Sequence, residues 1–231
     1  MVVGSQTPLI EGLNALTAGL ILLSAFGMVA TRQVQGVMRF FVVQSLFLAA
    51  SAFLIGFNRG SIHLLILGVI TIAAKVIGIP WVLKRTLPGD LYERREINQV
   101  INIPSSLLLT LMLAIAAEFL VSPLLATTQD PVVHVNLPIG LAGVLIGAYT
   151  LIARREALPQ MVGILAMENG AFFAGISIAS DLPLIAELAI AIDVILIAVV
   201  IGVLTRNISQ AIGTTEAASM SELREEPQPW D

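Results

Sequence analysis

Four ionisable residues lie deep inside apolar segments of this 231-residue sequence, and they are its candidates for chemistry. They are Lys75, Glu118, Glu168 and Asp193. A charge near the centre of a lipid bilayer costs at least about 2.5–3.5 kcal/mol, so each of these side chains requires a partner, a proton or a function. Burial favours the uncharged form of an acid or an amine, which allows such groups to take up and release protons.

Glu168 and Asp193 lie at matched depths in the last two apolar segments. Each follows the predicted start of its segment, Pro159 or Leu184, by nine residues. At 1.5 Å per residue, both carboxyls lie about 13–14 Å deep, near the middle of a hydrocarbon core about 30 Å thick. Two carboxyls at equal depth on adjacent helices cannot both ionise cheaply, so we expect a proton-exchanging pair. The alternative is two separate neutral carboxyls, each hydrogen-bonded inside a packed bundle.

Lys75 lies about nine residues before Lys84, hence also near mid-depth. A buried ammonium needs a carboxylate or water beside it. Glu118, in the next apolar segment, is the candidate partner nearest in sequence. The two residues either form a structural ion pair between the third and fourth segments, or belong with Glu168 and Asp193 to one polar axis across the membrane.

The composition indicates a polytopic helical membrane protein. Hydrophobic residues make up 57% of the chain, charged residues 12%, and the mean hydropathy is +0.92. A soluble domain carries about 25% charged residues. The low charged fraction of this chain therefore excludes two classes of protein, a soluble enzyme and a disordered polypeptide. The net charge of −4 and the lack of a basic stripe exclude a nucleic-acid binder.

No cofactor and no redox centre are expected in this chain. The absence of cysteine excludes disulfides, thiolate nucleophiles, iron–sulfur clusters and cysteine-based zinc sites. The two histidines are too few for a histidine-rich metal site. We place His63 at a helix start and His134 in a loop, positions unsuited to the facing axial ligands of a haem. No glycine-rich nucleotide-binding motif is present.

Seven segments are long and apolar enough to cross a bilayer as helices, which need about 20 residues each. Strict alternation typical of barrel strands is absent. Gly78 and Pro80 predict a kink in the third segment, and the fifth is the shortest. No Lys or Arg precedes the first segment, so we expect it to remain as a span and not to be a signal peptide. The seven segments cover residues 9–30, 37–57, 61–83, 104–126, 137–153, 159–179 and 184–205.

The segments predict an all-α transmembrane bundle in three parts. Residues 1–126 form an N-terminal four-helix part, residues 127–205 a three-helix part, and residues 206–231 a polar, acidic tail. With seven spans, ten Lys and Arg residues fall on one side and only Arg59 falls on the other. The positive-inside rule then places the N-terminus outside and the C-terminus inside.

Several of these residues carry a family resemblance. The sequence contains Arg154-Arg155, then Met167-Glu168-Asn169-Gly170, and then a mid-helix Asp193 followed by Arg206-Asn207. This pattern resembles component E of hydrogenase-4 and formate-hydrogenlyase-type complexes. The stretch from Lys75 to Pro80 is similar to the third helix of that family. The last three spans also resemble the K subunit of respiratory complex I and the C subunit of multisubunit cation/proton antiporters.

The resemblance implies a non-catalytic membrane subunit of an oxidoreductase complex in a prokaryotic inner membrane. In the resembling proteins, an acidic residue in each of two helices belongs to the proton path, and Glu168 and Asp193 occupy the matching positions. The K subunit usually has Glu at the second position, so the shorter Asp193 would need a bridging water. The implied partners are antiporter-like membrane proteins and membrane proteins similar to the H subunit of complex I.

Three functions remain open on the sequence alone. The leading hypothesis is a membrane-arm subunit in which Glu168 and Asp193, with Lys75 and Glu118, carry or electrostatically gate protons across the midplane. A redox reaction or a partner antiporter subunit would drive this movement, and the sequence does not distinguish H⁺ from Na⁺. The second is a structural anchor of such a complex, in which buried charges only fix the helix register. The third is a stand-alone small transporter, which the lack of an internal repeat and of solute-binding polar residues disfavours.

Overall fold

The computed structural model describes residues 8–86 and 101–178 of the chain, and these residues form helices without any β-strand. Six of the helices are long and apolar enough to cross a membrane, which makes the chain an integral membrane protein. In chain order they are α1 (Pro8–Ala30), α2 (Val34–Arg59), α3 (Ile62–Arg85), α4 (Ile103–Leu125), α5 (Pro131–Ala153) and α6 (Ala157–Ile178).

The predicted all-α class is confirmed for the described residues, and α1 to α6 correspond to the first six predicted spans. The seventh predicted span, 184–205, lies outside the described residues, as do Asp193 and the tail 206–231. The number of spans, the orientation across the membrane and the three-part division therefore stay predictions.

Helix α5 corrects the sequence-based boundaries. It begins at Pro131 and not at residue 137, because an oxygen of the Asp130 side chain accepts a hydrogen bond from the Val132 N–H and Pro131 occupies the first turn. His134 therefore lies in a helix, and its placement in a loop was wrong. Asn136 and Pro138 also lie inside α5, which has 23 residues. His63 lies in the first turn of α3, as expected.

Helix α3 is irregular at its centre. Residues Ile72–Gly78, including Lys75, form a π-helical segment between two α-helical parts. Pro80 follows two residues after this segment; it has no N–H to donate, and its ring crowds the carbonyl one turn earlier. The predicted distortion at Gly78 and Pro80 therefore takes the form of a widened helix in the turns before the proline.

Four helices form the centre of the described bundle. Helix α1 packs against α2 and α5, α5 packs against α6, and α2 packs against α6. Helix α3 lies on the outside against α2, and α4 lies on the outside against α5 with a smaller contact to α1. The core includes Met28, Phe41, Ile146, Leu165 and Phe173, each at most 1% exposed. Helices that are consecutive in the sequence are therefore not always the helices that pack together.

The α5–α6 contact is the most extensive between described helices, and glycines face each other across it. A Cβ atom built on Gly170 would lie 2.6 Å from the Gly140 carbonyl oxygen and 2.6 Å from the Val144 nitrogen. On Gly143, a Cβ would lie 3.1 Å from the Gly170 Cα. Such spacing is typical of membrane helices that associate through small residues. It fixes the position of the α6 segment that carries Glu168.

Candidate functional site

Lys75 and Glu168 form an ion pair in the interior of the bundle. The Lys75 Nζ lies 3.0 Å from the Glu168 Oε2, and the two side chains are only 1% and 7% exposed. Lys75 is thirteen residues from the start of α3 and ten from its end, and Glu168 is eleven and ten residues from the ends of α6. At 1.5 Å per residue, both lie about 15–20 Å from either end, near the middle of the span.

An amide network surrounds this pair and joins a third helix to it. The Lys75 Nζ also donates to the Asn169 Oδ1 at 3.1 Å. The Asn169 Nδ2 in turn donates to the Gln44 Oε1 at 3.3 Å and to the Ser45 Oγ at 2.8 Å, both on α2. Asn169, Gln44 and Ser45 are at most 1% exposed. The network therefore links α2, α3 and α6 at one depth.

The Lys75 ammonium is enclosed on a further side by an aromatic ring, since its Nζ lies 5.1 Å from the centroid of Phe172. A ring face, a carboxylate and an amide oxygen together favour a cation at this position. Transfer of one proton from Nζ to the adjacent carboxylate would convert the ion pair into a neutral pair. The arrangement can therefore hold a proton on either of two atoms that are within hydrogen-bond distance.

The partner that sequence order suggested for Lys75 was wrong. Glu118 lies on α4, its side chain is exposed, and within residues 8–86 and 101–178 it makes no ion pair. Helix α4 packs on α5, whereas α3 packs on α2 at another part of the bundle. Lys75 instead pairs with Glu168. The predicted pairing of Glu168 with Asp193 remains a prediction, since Asp193 lies outside the described residues.

Sequence reasoning missed Gln44 and Ser45. The signal was available, because these two adjacent polar residues interrupt the middle of the second apolar segment. They carry no charge, however, so the ionisable residues alone do not indicate them. Gln44 is fully buried, and its Nε2 has no hydrogen-bond partner within the described ranges.

A second polar cluster joins α1, α2 and α5 toward the end of the bundle that carries Arg59, here called the Arg59 end. The Asn14 Nδ2 donates to the Asn136 Oδ1 at 2.7 Å, and the Ser51 Oγ donates to the Asn14 Oδ1 at 2.7 Å. All three side chains are at most 1% exposed. At the surface of this end, Arg59 forms an ion pair with Asp130. These contacts tie the starts of α1 and α5 to the end of α2.

Arg154 ties the helices together at the opposite end, here called the Arg154 end. Its Nη2 donates to the carbonyl oxygens of Met28, Val29 and Thr31, at 2.9, 3.2 and 3.0 Å. The first two carbonyls belong to the last turn of α1 and the third to the residue that follows the helix. Carbonyls at the end of a helix have no N–H partner within the helix, so Arg154 supplies one. Burial lowers the pKa of Arg154, and the charge of Glu156 and the Tyr149 side chain oppose that shift. Arg154 is 3% exposed.

Replacing Arg154 by methionine is expected to destabilise the protein by about 1–3 kcal/mol, because three carbonyl oxygens lose their donor in a buried position. The change in the free energy of unfolding would be measured in mixed detergent micelles. The matched control is Arg155→Met, which removes the same charge from an exposed neighbour and should change stability little. Equal destabilisation by the two substitutions would contradict the assigned role of Arg154.

The described part of the chain contains no group of three or more His, Cys, Asp or Glu side chains that could hold a metal ion. Its polar interior instead consists of one ion pair with amides and hydroxyls. Among the described residues, these groups join α2, α3 and α6 at one depth, and the ion pair places two ionisable atoms 3.0 Å apart.

Comparison with known proteins relates the chain to two groups of curated sequences. It is 30% identical over 209 residues to the Mycobacterium tuberculosis protein named "Uncharacterized protein Rv0085", covering 90% of this chain and 94% of that protein. It is 24% identical over 213 residues to hydrogenase-4 component E of Escherichia coli strain K12, covering 90% and 95%. The Shigella flexneri protein of the same name gives the same values. No family model and no solved structure matches.

Proposed function

We propose that this chain, which belongs to the same family as protein Rv0085 of Mycobacterium tuberculosis, is a membrane subunit of a hydrogenase-4-type complex. The similarity to hydrogenase-4 component E extends over 90% of the chain, and six helices suited to a membrane agree with such a role. The complex would reside in the inner membrane of a prokaryote. Its other membrane proteins would be antiporter-like or similar to the H subunit of complex I. The chain itself would hold no redox centre.

Within that complex, Lys75 and Glu168 would carry protons across the middle of the membrane. One observation carries this proposal, the 3.0 Å contact between two buried ionisable groups at mid-depth. An isolated charge at that depth is expensive, and ionisable residues there mark ion pathways. Asp193, on the segment that follows α6 in sequence, would be the next proton-binding group.

Glu168→Gln tests the proposal because it keeps the size of the side chain and removes its charge and its proton exchange. We expect the complex to assemble and its proton translocation per complex to fall by about tenfold or more. Assembly would be measured by copurification of the other subunits, and translocation by acidification of vesicles during turnover. Normal translocation in an assembled Glu168→Gln complex would rule out a role for Glu168 in the path.

The matched control is Glu11→Gln, which neutralises a carboxylate in the first turn of α1. It removes the same charge from the same chain, at the end of a span instead of its middle. We expect wild-type assembly and wild-type translocation from this variant. A comparable loss with Glu11→Gln would indicate that net charge, and not the Lys75–Glu168 pair, determines the effect.

A structural anchor is the second candidate, and one observation favours it. Asn169 and Lys75 bond three helices to one another through fully buried contacts. Such a network could serve only to fix the helix register. In that case Glu168→Gln would lower the amount of assembled complex and leave the translocation of each remaining complex unchanged. The same two measurements therefore separate the two candidates.

A further inference from the structure

Glu118 presents a carboxyl group at the depth of the membrane interior, on a face of α4 that the other described residues leave uncovered. It lies fifteen residues after Ile103 and seven before Leu125. At 1.5 Å per residue, it lies about 10 Å inside the Arg59 end of the helix, beyond the reach of a short acidic side chain to the surface. Its side chain is exposed.

Within residues 8–86 and 101–178, nothing covers the face around Glu118 either. Leu111 and Ile115 are 48% and 51% exposed, and Ser122 is exposed one turn beyond Glu118. These four positions, at spacings of three and four residues, share one side of the helix. In the apolar stretch of α4, only 17% is buried inside the bundle, compared with 33–61% in the corresponding stretches of the other five helices. Helix α4 is thus the least covered of the six.

A carboxylate facing lipid at this depth is costly unless a cation or another donor meets it. The basic groups inside the described bundle are engaged elsewhere, with Lys75 on Glu168, Arg59 on Asp130 and Arg154 on the end of α1. The apolar segment 184–205 cannot supply a cation, because it contains no Lys, Arg or His and its only ionisable residues are acidic.

We propose that the α4 face formed by Leu111, Ile115, Glu118 and Ser122 docks against a membrane helix of another subunit, which presents a Lys or Arg side chain to Glu118. Charge complementarity selects this occupant over a second copy of the chain, whose own face would bring another carboxylate. The inference rests on the proposed function in one respect, since the complex supplies the partner helix.

Charge reversal tests this docking face. Glu118→Lys should lower the amount of copurified partner subunit by about tenfold or more, because two like charges would then meet at low dielectric. Glu118→Gln should give a smaller loss. The matched control is Val69→Lys, since Val69 on α3 is 60% exposed and also lies seven residues from the Arg59 end of its helix. An equal loss with Val69→Lys would show a general cost of an intramembrane lysine and overturn the proposal.

Cross-linking identifies the occupant. The chain has no cysteine, so Ser122→Cys provides one labelling site for a thiol-linked photoreactive group. The expected product joins Ser122→Cys to a membrane span of another subunit near a Lys or Arg, and changing that residue to Glu should restore assembly of Glu118→Lys. Cross-links to residues 184–205, to a second copy or to lipid alone would each overturn the docking inference.

The two proposals fail in different ways. If the chain purifies from native membranes without any other subunit, the proposed function fails and the docking face loses its partner. If the complex is recovered intact with Glu118→Lys at the wild-type ratio of subunits, only the docking face is overturned. Yield and thermal stability of the Glu118→Gln chain would show whether a loss arises from misfolding of the subunit, which would also overturn it.

Discussion

Lys75→Met is expected to lower the free energy of unfolding by about 3–5 kcal/mol, because it leaves the Glu168 carboxyl buried without its cation. Methionine has nearly the length of lysine, so it fills the same space beside Phe172 and tests the charge more than the packing. Reversible unfolding of the purified chain in mixed micelles would give the value. Lys84→Met, at an exposed position near the end of α3, is the matched control and should change stability little.

The double variant Lys75→Met/Glu168→Gln should be more stable than the sum of the two single changes predicts. Removing both members of a buried ion pair leaves neither charge unsatisfied, whereas removing one strands the other. A double-mutant cycle would measure this difference as a coupling energy. Strictly additive effects would mean that the 3.0 Å contact contributes nothing to folding.

The cycle also separates the two functional candidates. If the pair serves only as an anchor, translocation per assembled complex should stay at the wild-type level in the single variants and in the double variant, and the double variant should regain stability. If Lys75 and Glu168 carry protons, the double variant should regain stability and assembly while translocation per complex stays low, because both members of the proton-exchanging pair have been removed. The same set of variants thus yields a stability measurement and a transport measurement whose outcomes are independent.

Within the described residues, the sequence predicted the six membrane-spanning helices and the mid-depth position of Lys75 and Glu168 for a physical reason. Segments of about 20 apolar residues are unambiguous in a membrane protein, and a Lys or Glu inside one stands out against its neighbours. Counting residues from the segment ends also placed Lys75 and Glu168 near mid-depth, since the rise per residue of a helix is fixed. These inferences depend only on local properties of the chain.

The pairing of charges could not be obtained in this way. Glu118 was assigned to Lys75 because their segments are consecutive, but α3 packs on α2 and α4 packs on α5. Which helices become neighbours depends on the fit of whole surfaces, such as the glycine contact between α5 and α6. The start of α5 was misplaced for another reason, as hydropathy placed it at residue 137 while the Asp130 cap and Pro131 determine it.

The glycine contact leads to the second large prediction. Gly170→Ala should destabilise the protein by at least about 3 kcal/mol, at the upper end of the usual cost of overpacking, because the new methyl group meets backbone that cannot rotate away. Its Cβ would lie 2.6 Å from both the Gly140 oxygen and the Val144 nitrogen. Unfolding of the purified chain in mixed micelles would measure the loss.

The control for Gly170→Ala lies on the same helix, since a Cβ on Gly175 would meet no atom within 4 Å. Gly175→Ala should be neutral or slightly stabilising, because alanine favours a helix over glycine by roughly 0.5–1 kcal/mol. Glu168 and Asn169 directly precede Gly170, so separating α5 from α6 should also displace them from Lys75 and lower translocation in any complex that assembles. Equal effects of the two alanines would contradict the proposition that the α5–α6 contact positions the buried ion pair.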